Sequence, residues 1–279
     1  MKTDRIIQDD VKAKIKILVV EDNLLSRKYL GFVLKNWGYK FDECSNGKLA
    51  IENITIHKYD LILMDIQMPE LDGHETARYI RSNLKLGLPI IAMTSHSDEE
   101  EREKCLFSGM NDYMAKPINE EELYNIITNY LFTTVVLNKE KPVKTELLPG
   151  AENSLKVSLQ LQDSIDNSKK IINLDYLIEI SKGDTKFVNE MVKIFLTENH
   201  DEIRCLENAI VENNFEGIKI GANKLRSSIP FFGLDKVIEK EVIELETLAT
   251  DKIDIEKIKI LFSKIKKASE MANIELQSV

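Results

Sequence analysis

One stretch, residues 61–73, constrains the fold of this chain most strongly. Its first four residues, 61–64, are all apolar rather than alternating, which is typical of a strand buried inside a parallel sheet. The run ends at Asp65, and Pro69 and Asp72-Gly73 then predict a turn. Open α/β sheets place their ligand sites at the carboxyl ends of such strands. The stretch by itself leaves two interpretations open, because Asp65 either caps the turn or carries chemistry.

Helical and strand-like patterns alternate on both sides of this segment. The predicted strands cover residues 15–20, 39–44, 61–64, 90–93 and 113–115. The predicted helices cover residues 24–37, 47–57, 75–84, 98–107 and 120–132, and Asn119 with Glu122 forms a capping box at the start of the last one. Strands that alternate with helices through short connections predict a doubly wound, five-stranded parallel α/β sheet.

The carboxyl ends of the predicted strands share a set of polar side chains. Glu21 and Asp22 follow the first strand, Asp65 the third, Thr94 the fourth and Lys116 the fifth. Three carboxylates at one edge repel one another unless a cation lies among them, and a ligand set made only of oxygen suits Mg²⁺. A lysine and a hydroxyl beside them provide for an anion, which completes the parts needed for phosphoryl transfer. A carboxylate can itself be the nucleophile, and Asp65 on the central strand is the candidate.

Residues 14–132 resemble the receiver domain of two-component response regulators. The motifs that carry the resemblance are Val20-Glu21-Asp22-Asn23, Leu63-Met64-Asp65-Ile66-Gln67-Met68-Pro69 with Asp72-Gly73, Met93-Thr94-Ser95, and Tyr113-Met114-Ala115-Lys116-Pro117. The resemblance implies a flavodoxin-like fold in which Asp65 accepts a phosphoryl group from a phosphohistidine. Such a domain catalyses its own phosphorylation and dephosphorylation and is not a conventional enzyme.

The resemblance also implies a role for each residue around the acceptor. Mg²⁺ would be held by Glu21, Asp22 and Asp65, directly or through water, together with the backbone carbonyl of Gln67. Lys116 would pair with the phosphate and Thr94 would hydrogen-bond to it. Tyr113 would turn inward on activation, although an aromatic residue at a strand end is equally typical of core packing.

The second half of the chain has a different pattern. Residues 133–171 contain Pro142, Pro149-Gly150 and a Ser/Asn/Asp-rich stretch, which predicts a flexible interdomain linker. From residue 172 onward only helical periodicity is present, with predicted helices near 174–181, 185–213, 215–232, 234–248 and 253–275. The expected organisation is an N-terminal extension (1–13), a receiver domain (14–132), a linker (133–171) and a separate all-α four-helix bundle (172–279).

The third predicted helix of the bundle carries a second resemblance. Its sequence Ala222-Asn223-Lys224-Leu225-Arg226-Ser227-Ser228, followed by Phe232-Gly233-Leu234, is similar to a histidine-containing phosphotransfer (HPt) domain, and the similarity covers about 172–275. In that family the position of Asn223 is the phosphorylated histidine. Basic residues flank it, here Lys219, Lys224 and Arg226, and small residues such as Ser227 and Ser228 let a receiver approach. The helical spacing predicts an exposed Asn223 between Lys219 and Arg226.

Asparagine at this position removes the chemistry of histidine. A neutral imidazole nitrogen is nucleophilic near neutral pH, whereas the lone pair of the Asn223 amide nitrogen is delocalised and cannot form a phosphoramidate. Two explanations remain open. Either Asn223 is native and the bundle is catalytically silent and serves docking or regulation, or a functional histidine of a complete phosphorelay intermediate has been replaced.

Composition restricts the function classes. A net charge of −9 argues against a nucleic-acid-binding effector, and no apolar run approaches the ~20 residues of a membrane helix. The first residues lack the apolar core of a signal peptide, so we expect a cytoplasmic protein. The expected partners are a histidine kinase or hybrid kinase, phosphotransfer proteins and other receiver domains. An alternative of another class is an Mg²⁺-dependent phosphatase that acts through an aspartyl phosphate, although Gln67 stands where such enzymes usually carry a second acid.

Overall fold

Five parallel strands form the sheet at the centre of the N-terminal half. The structure, a computed structural model, describes residues 9–95, 99–137 and 170–278. The strand order is β2-β1-β3-β4-β5, with β1 (Lys16–Val20), β2 (Lys40–Cys44), β3 (Leu61–Asp65), β4 (Ile90–Thr94) and β5 (Asp112–Ala115). The predicted doubly wound parallel sheet is confirmed. Every residue of the central strand β3 is buried, and its last residue is Asp65 itself.

Six helices belong to the described residues of this half, and most lie on the two faces of the sheet. They are α1 (Asp9–Lys12), α2 (Leu24–Asn36), α3 (Gly47–Ile56), α4 (Gly73–Ser82), α5 (Glu99–Phe107) and α6 (Glu120–Leu137). Helix α4 begins directly against the end of β3, where a Cβ on Gly73 would lie 2.3 Å from the carbonyl oxygen of Asp65. Only glycine allows this approach, and the side chain of Asp72 caps the helix by accepting a hydrogen bond from the backbone N–H of Glu75 at 2.7 Å.

The predicted end of the last helix of this half is wrong. Helix α6 continues to Leu137, so residues 133–137 of the predicted linker are helical. The sequence after Phe132 is Thr-Thr-Val-Val. Because β-branched residues have a low helix propensity, this sequence does not predict a continuing helix. The rest of the predicted linker up to 169, residues 1–8 of the predicted extension, and residues 96–98 lie outside the described residues.

In the described part of the C-terminal half, residues 170–278, every regular element is a helix, as predicted. Its helices are α7 (Asp175–Ile180), α8 (Thr185–Val211), α9 (Phe215–Ser228), α10 (Asp235–Asp251) and α11 (Ile255–Leu276). The four long helices pack in a ring in which α8 contacts α9, α9 contacts α10, α10 contacts α11 and α11 contacts α8. We call these four helices, with the short helix α7, the bundle. No described helix of the protein is long and apolar enough to cross a membrane.

The third predicted helix of the bundle ends earlier than its apolar spacing suggests. Helix α9 stops at Ser228, and a 3₁₀ helix follows over Ile229–Phe232. Pro230 explains the change, because proline has no backbone N–H and its ring clashes with the preceding turn of an α-helix. The 3₁₀ turn places Phe231 and Phe232 on different sides, so that Phe232 is fully buried in the bundle while Phe231 faces α2.

One continuous apolar cluster joins one face of the sheet to the bundle. The ring of Phe32 on α2 stacks on the ring of Phe187 on α8, with centroids 3.9 Å apart. Tyr29 on α2 meets the ring of Phe231 edge to face at 5.7 Å. Part of the apolar face of α2 is therefore buried against the bundle.

Candidate functional site

Three acidic side chains meet at the carboxyl edge of the sheet. Glu21 and Asp22 directly follow β1, and Asp65 ends β3, which pairs with β1 in parallel register. Because neighbouring parallel strands end at the same edge, their acids converge, and one oxygen from each carboxylate lies within 4.8 Å of the others. Asp65 and Glu21 are buried, so this is an enclosed acidic cleft rather than a charged surface.

A single lysine bridges two of these acids. Lys116 follows β5, and its Nζ lies 2.8 Å from Oε2 of Glu21 and 2.9 Å from Oδ2 of Asp65. Its side chain is only 6 % exposed. The register of the sheet holds it there, because the N–H of Lys116 donates to the carbonyl of Thr94 at 2.8 Å. Lys116 is therefore a buried ion-pair partner and not a solvated loop lysine.

The cleft holds more negative charge than Lys116 balances. Burial, and then repulsion from Asp65 and Asp22, raises the pKa of Glu21 well above its usual range, although Lys116 opposes the shift. Burial and the charge of Asp65 likewise raise the pKa of Asp22. Burial on its own lowers the pKa of Lys116, but the attraction of Asp65 and Glu21 outweighs it and the net shift is upward. A further cation would therefore stabilise the three ionised acids together.

The donor set fits a hard divalent cation. Buried carboxylate oxygens on all three acids accept no hydrogen bond, although Lys116 and Lys224 lie beside some of them as ion-pair partners. Unsatisfied buried oxygens are costly in a protein interior, and oxygen-only coordination with room for water is what Mg²⁺ prefers. Glu21, Asp22 and Asp65 are thus the residues that could hold Mg²⁺.

The other residues expected at the site lie around this cleft. Thr94 ends β4 beside β3 and is buried. The backbone N–H of Gln67 points back to Oδ1 of Asp65 at 3.4 Å, which places the 65–67 loop against the acceptor carboxylate. Tyr113 on β5 is half-buried and packs against a second apolar cluster of the sheet, which includes Leu18 and Ile62. Its inward turn on activation remains a prediction.

The segment that carries the cleft is similar to known proteins. The family model described as "Response regulator receiver domain" matches residues 17–128, the segment that carries the sheet and the cleft. Residues 17–128 form a response regulator receiver domain.

The curated relatives that match this chain are larger proteins. The signal transduction histidine-protein kinase BarA of Escherichia coli is 28 % identical over 233 residues, which cover 83 % of this chain and 24 % of BarA. Hybrid signal transduction histidine kinase B of Dictyostelium discoideum is 43 % identical over 120 residues, or 39 % of this chain and 6 % of the kinase. The chain thus spans at most about a quarter of the length of these relatives.

A solved structure is also similar. The receiver domain of sensor histidine kinase PA1611 from Pseudomonas aeruginosa, solved with a magnesium ion coordinated in its active site cleft, is 38 % identical. The match covers 42 % of this chain and 98 % of that domain, with a TM-score of 0.40.

The bundle lies directly on the cleft of the receiver domain. Asn223 on α9 is 1 % exposed, and its Oδ1 accepts a hydrogen bond of 2.5 Å from the hydroxyl of Ser95, the residue after Thr94. The prediction of an exposed Asn223 between two cations is therefore wrong. Helical spacing identified the polar face of α9 but could not show that a second domain covers it.

A second contact ties the same helix to the first loop of the receiver domain. Asn23 caps α2 by accepting a hydrogen bond from the N–H of Ser26, and its side-chain amide also donates to Oγ of Ser228 at 2.6 Å and to the carbonyl of Lys224 at 3.2 Å. The ammonium group of Lys224 lies 3.2 Å from Oδ2 of Asp22. Asn23 belongs to the motif at 20–23, but the sequence predicted no role for it at the site.

The other basic residues expected on this surface take different positions. Arg226 turns to Glu246 of α10 at 3.2 Å, where it also lines a cavity of about 110 Å³ beside Ser95 and Lys116. Ser227 lines the same cavity. Lys219 lines a separate cleft of about 240 Å³, which Gln67 of the receiver domain also borders.

Glu202 on α8 gives the interface a pH dependence. Burial, and repulsion from Asp22 and Glu198, raises its pKa from 4.5 to about 7, against the attraction of Lys224. Because the folded state binds this proton more tightly than the unfolded state, the stabilisation is complete below the unfolded pKa and is lost as the pH rises through about 7. We expect the urea midpoint to fall between about pH 5 and about pH 8 by less in Glu202→Gln than in the wild type. Equal falls in both proteins would contradict this assignment.

Proposed function

We propose that this chain is a two-component phosphorelay signalling protein whose receiver domain accepts a phosphoryl group on Asp65 from a phosphohistidine. The phosphorus–nitrogen bond of the donor breaks while a bond forms from phosphorus to a carboxylate oxygen of Asp65, and the imidazole nitrogen leaves with the electron pair. The observation that carries the proposal is the buried Lys116 between Glu21 and Asp65. Phosphoryl transfer needs positioning and charge neutralisation, and this cleft provides both.

The residues around Asp65 have distinct roles in this proposal. Mg²⁺ would be held by Glu21, Asp22, Asp65 and the backbone carbonyl of Gln67. When bound, it would supply positive charge that neutralises the acids and the oxygens of the phosphoryl group. When Asp65 is phosphorylated, the ammonium group of Lys116 pairs with the phosphoryl oxygens instead of with the carboxylates. Thr94 donates its hydroxyl to the phosphoryl group, and Tyr113 follows this movement as the switch residue.

In this proposal the bundle is an HPt-like domain that is catalytically silent, because it does not accept or pass on a phosphoryl group. Its α9 places Asn223, the residue at the histidine position, against Ser95 at the cleft, as expected for a domain that docks on receivers. The proposed domains are a receiver from residue 14 to the end of α6 and the bundle from 172 onward. The same contact favours a second candidate, a complete relay intermediate in which asparagine has replaced the histidine. A histidine kinase or hybrid kinase, phosphotransfer proteins and other receiver domains are the proposed partners.

Labelling with acetyl phosphate tests the acceptor role. We expect one phosphoryl group per chain in the presence of Mg²⁺, stable in acid and labile in base as an acyl phosphate is, and none after Mg²⁺ is removed with a chelator. Asp65→Asn should lose the label completely, because a carboxamide is not a nucleophile. Asp60→Asn is the matched control, since Asp60 is an exposed acid at the other end of β3. Full labelling of Asp65→Asn would contradict the proposal.

A further inference from the structure

The ammonium group of Lys224 stands where it contacts one of the three acids of the cleft. It lies 3.2 Å from Oδ2 of Asp22, whose side chain is 3 % exposed. The other carboxylate oxygen of Asp22, Oδ1, accepts no hydrogen bond from any described residue. We propose that Lys224 is a tethered cation which competes with Mg²⁺ for Asp22, so that the docked bundle and the bound metal ion oppose each other within one chain. This inference rests on the metal site of the proposed function.

The backbone of Lys224 is held close to the three acids. The amide of Asn23 holds the carbonyl of Lys224 at 3.2 Å and the hydroxyl of Ser228 at 2.6 Å, which fixes this turn of α9 over the loop that carries Asp22. One oxygen from each of the three acids lies within 4.8 Å of the others. A divalent ion among them would therefore lie a few ångströms from the ammonium group.

Electrostatics then decides the sign of the coupling. Like charges at short range in a partly desolvated site repel strongly, because the effective dielectric constant there is far below that of water. In the docked state the ammonium group of Lys224 is paired with Asp22 at 3.2 Å, and the side chain of Asp22 is only 3 % exposed. Mg²⁺ that binds Asp22 must displace that interaction.

The partner of this surface of the bundle is thus the chain's own receiver domain. Asp65 is 1 % exposed, and Asn223 of the bundle contacts Ser95 at the same cleft, so a bulky phosphohistidine donor requires the bundle to move. Since coupling free energies are reciprocal, Mg²⁺ should weaken docking by the same factor by which docking weakens Mg²⁺ binding. Bound Mg²⁺ would therefore neutralise the acids of the cleft and also favour release of the bundle from it.

Calorimetric titration of the full-length chain with Mg²⁺ tests the competition. We expect Lys224→Gln to bind Mg²⁺ at least about fivefold more tightly than the wild type, the lower end of typical coupling between sites. Lys224→Arg keeps the charge and should bind Mg²⁺ within about twofold of the wild type, since a change smaller than typical coupling is expected. Lys257→Gln is the matched control. Lys257 pairs with Glu244 within the bundle, so this substitution removes the same charge at a place away from the cleft.

Two outcomes would overturn the proposal, and they differ. Equal Mg²⁺ affinities in the wild type, Lys224→Gln and Lys257→Gln would show that Lys224 does not compete, while the metal site of the proposed function would stand. Absence of Mg²⁺ binding in all four proteins would remove the metal site, and the competition with it. Hydrogen exchange gives the reciprocal readout, in which Mg²⁺ should speed exchange across residues 215–232 of the wild type and leave the bundle helices α10 and α11 unchanged.

Discussion

Asn223→His is expected to give the bundle a phosphoryl group that the wild-type bundle never carries. The side chain at this position already lies against Ser95 at the cleft of the receiver domain, beside a cavity of about 110 Å³ that Ser95, Lys116 and Ser227 line. A neutral imidazole nitrogen placed there can attack the phosphoryl group of Asp65, whereas the amide nitrogen cannot. After labelling with acetyl phosphate and Mg²⁺, the variant should carry label of both kinds, acid-stable on Asp65 and acid-labile on the new histidine.

The order of transfer can be established with a double variant. Asp65→Asn combined with Asn223→His should carry no label of either kind, because the histidine receives its phosphoryl group from Asp65. Asn223→Gln enlarges the side chain without adding a nucleophile and controls for the change of size. If Asn223→His carries acid-stable label and no acid-labile label, the relay candidate is excluded and the bundle is a docking domain.

Phe232→Ala is expected to cause the largest loss of stability in the bundle. Phe232 is fully buried, and its ring lies 4.2 Å from the ring of Phe195, centroid to centroid. Truncation of a buried phenylalanine removes its transfer free energy and leaves a cavity, which together cost about 3–5 kcal/mol. Urea unfolding followed by circular dichroism measures this loss, while the fluorescence of Trp37, the single tryptophan, reports the receiver domain separately.

The control for this prediction lies on the other half of the chain. Phe107 at the end of α5 is 89 % exposed, so Phe107→Ala should change the free energy of unfolding by no more than about 0.5 kcal/mol. A loss below about 1 kcal/mol in Phe232→Ala would contradict the packing of the 3₁₀ turn against α8, since cavities of this size cost more.

Much of the fold could be predicted because periodicity reports burial. The uniformly apolar residues 61–64 indicated a central strand, and parallel topology then required Glu21, Asp22, Asp65 and Lys116 to meet at one edge. Their convergence follows from backbone direction alone. The role of each residue in phosphoryl transfer is a further step, which remains a prediction until it is measured.

The contact between the two domains could not be predicted in the same way. Tyr29 and Phe32 on α2 have the spacing of an ordinary buried helix face, and nothing in that spacing says which surface covers them. Asn223 sits on the polar side of α9, where isolated helices expose such residues to water. Its burial depends on a second surface, that of Ser95, whose position 128 residues away in sequence leaves no local signal.

The most direct test of the central claim is to locate the phosphoryl group chemically. Borohydride reduces an aspartyl phosphate to homoserine, and peptide mass mapping of the labelled wild-type chain then shows which residue was modified. The account predicts homoserine at position 65 alone, and only when Mg²⁺ is present during labelling. Homoserine at another position, or none after labelling with Mg²⁺, would contradict the assignment of Asp65 as the phosphoryl acceptor.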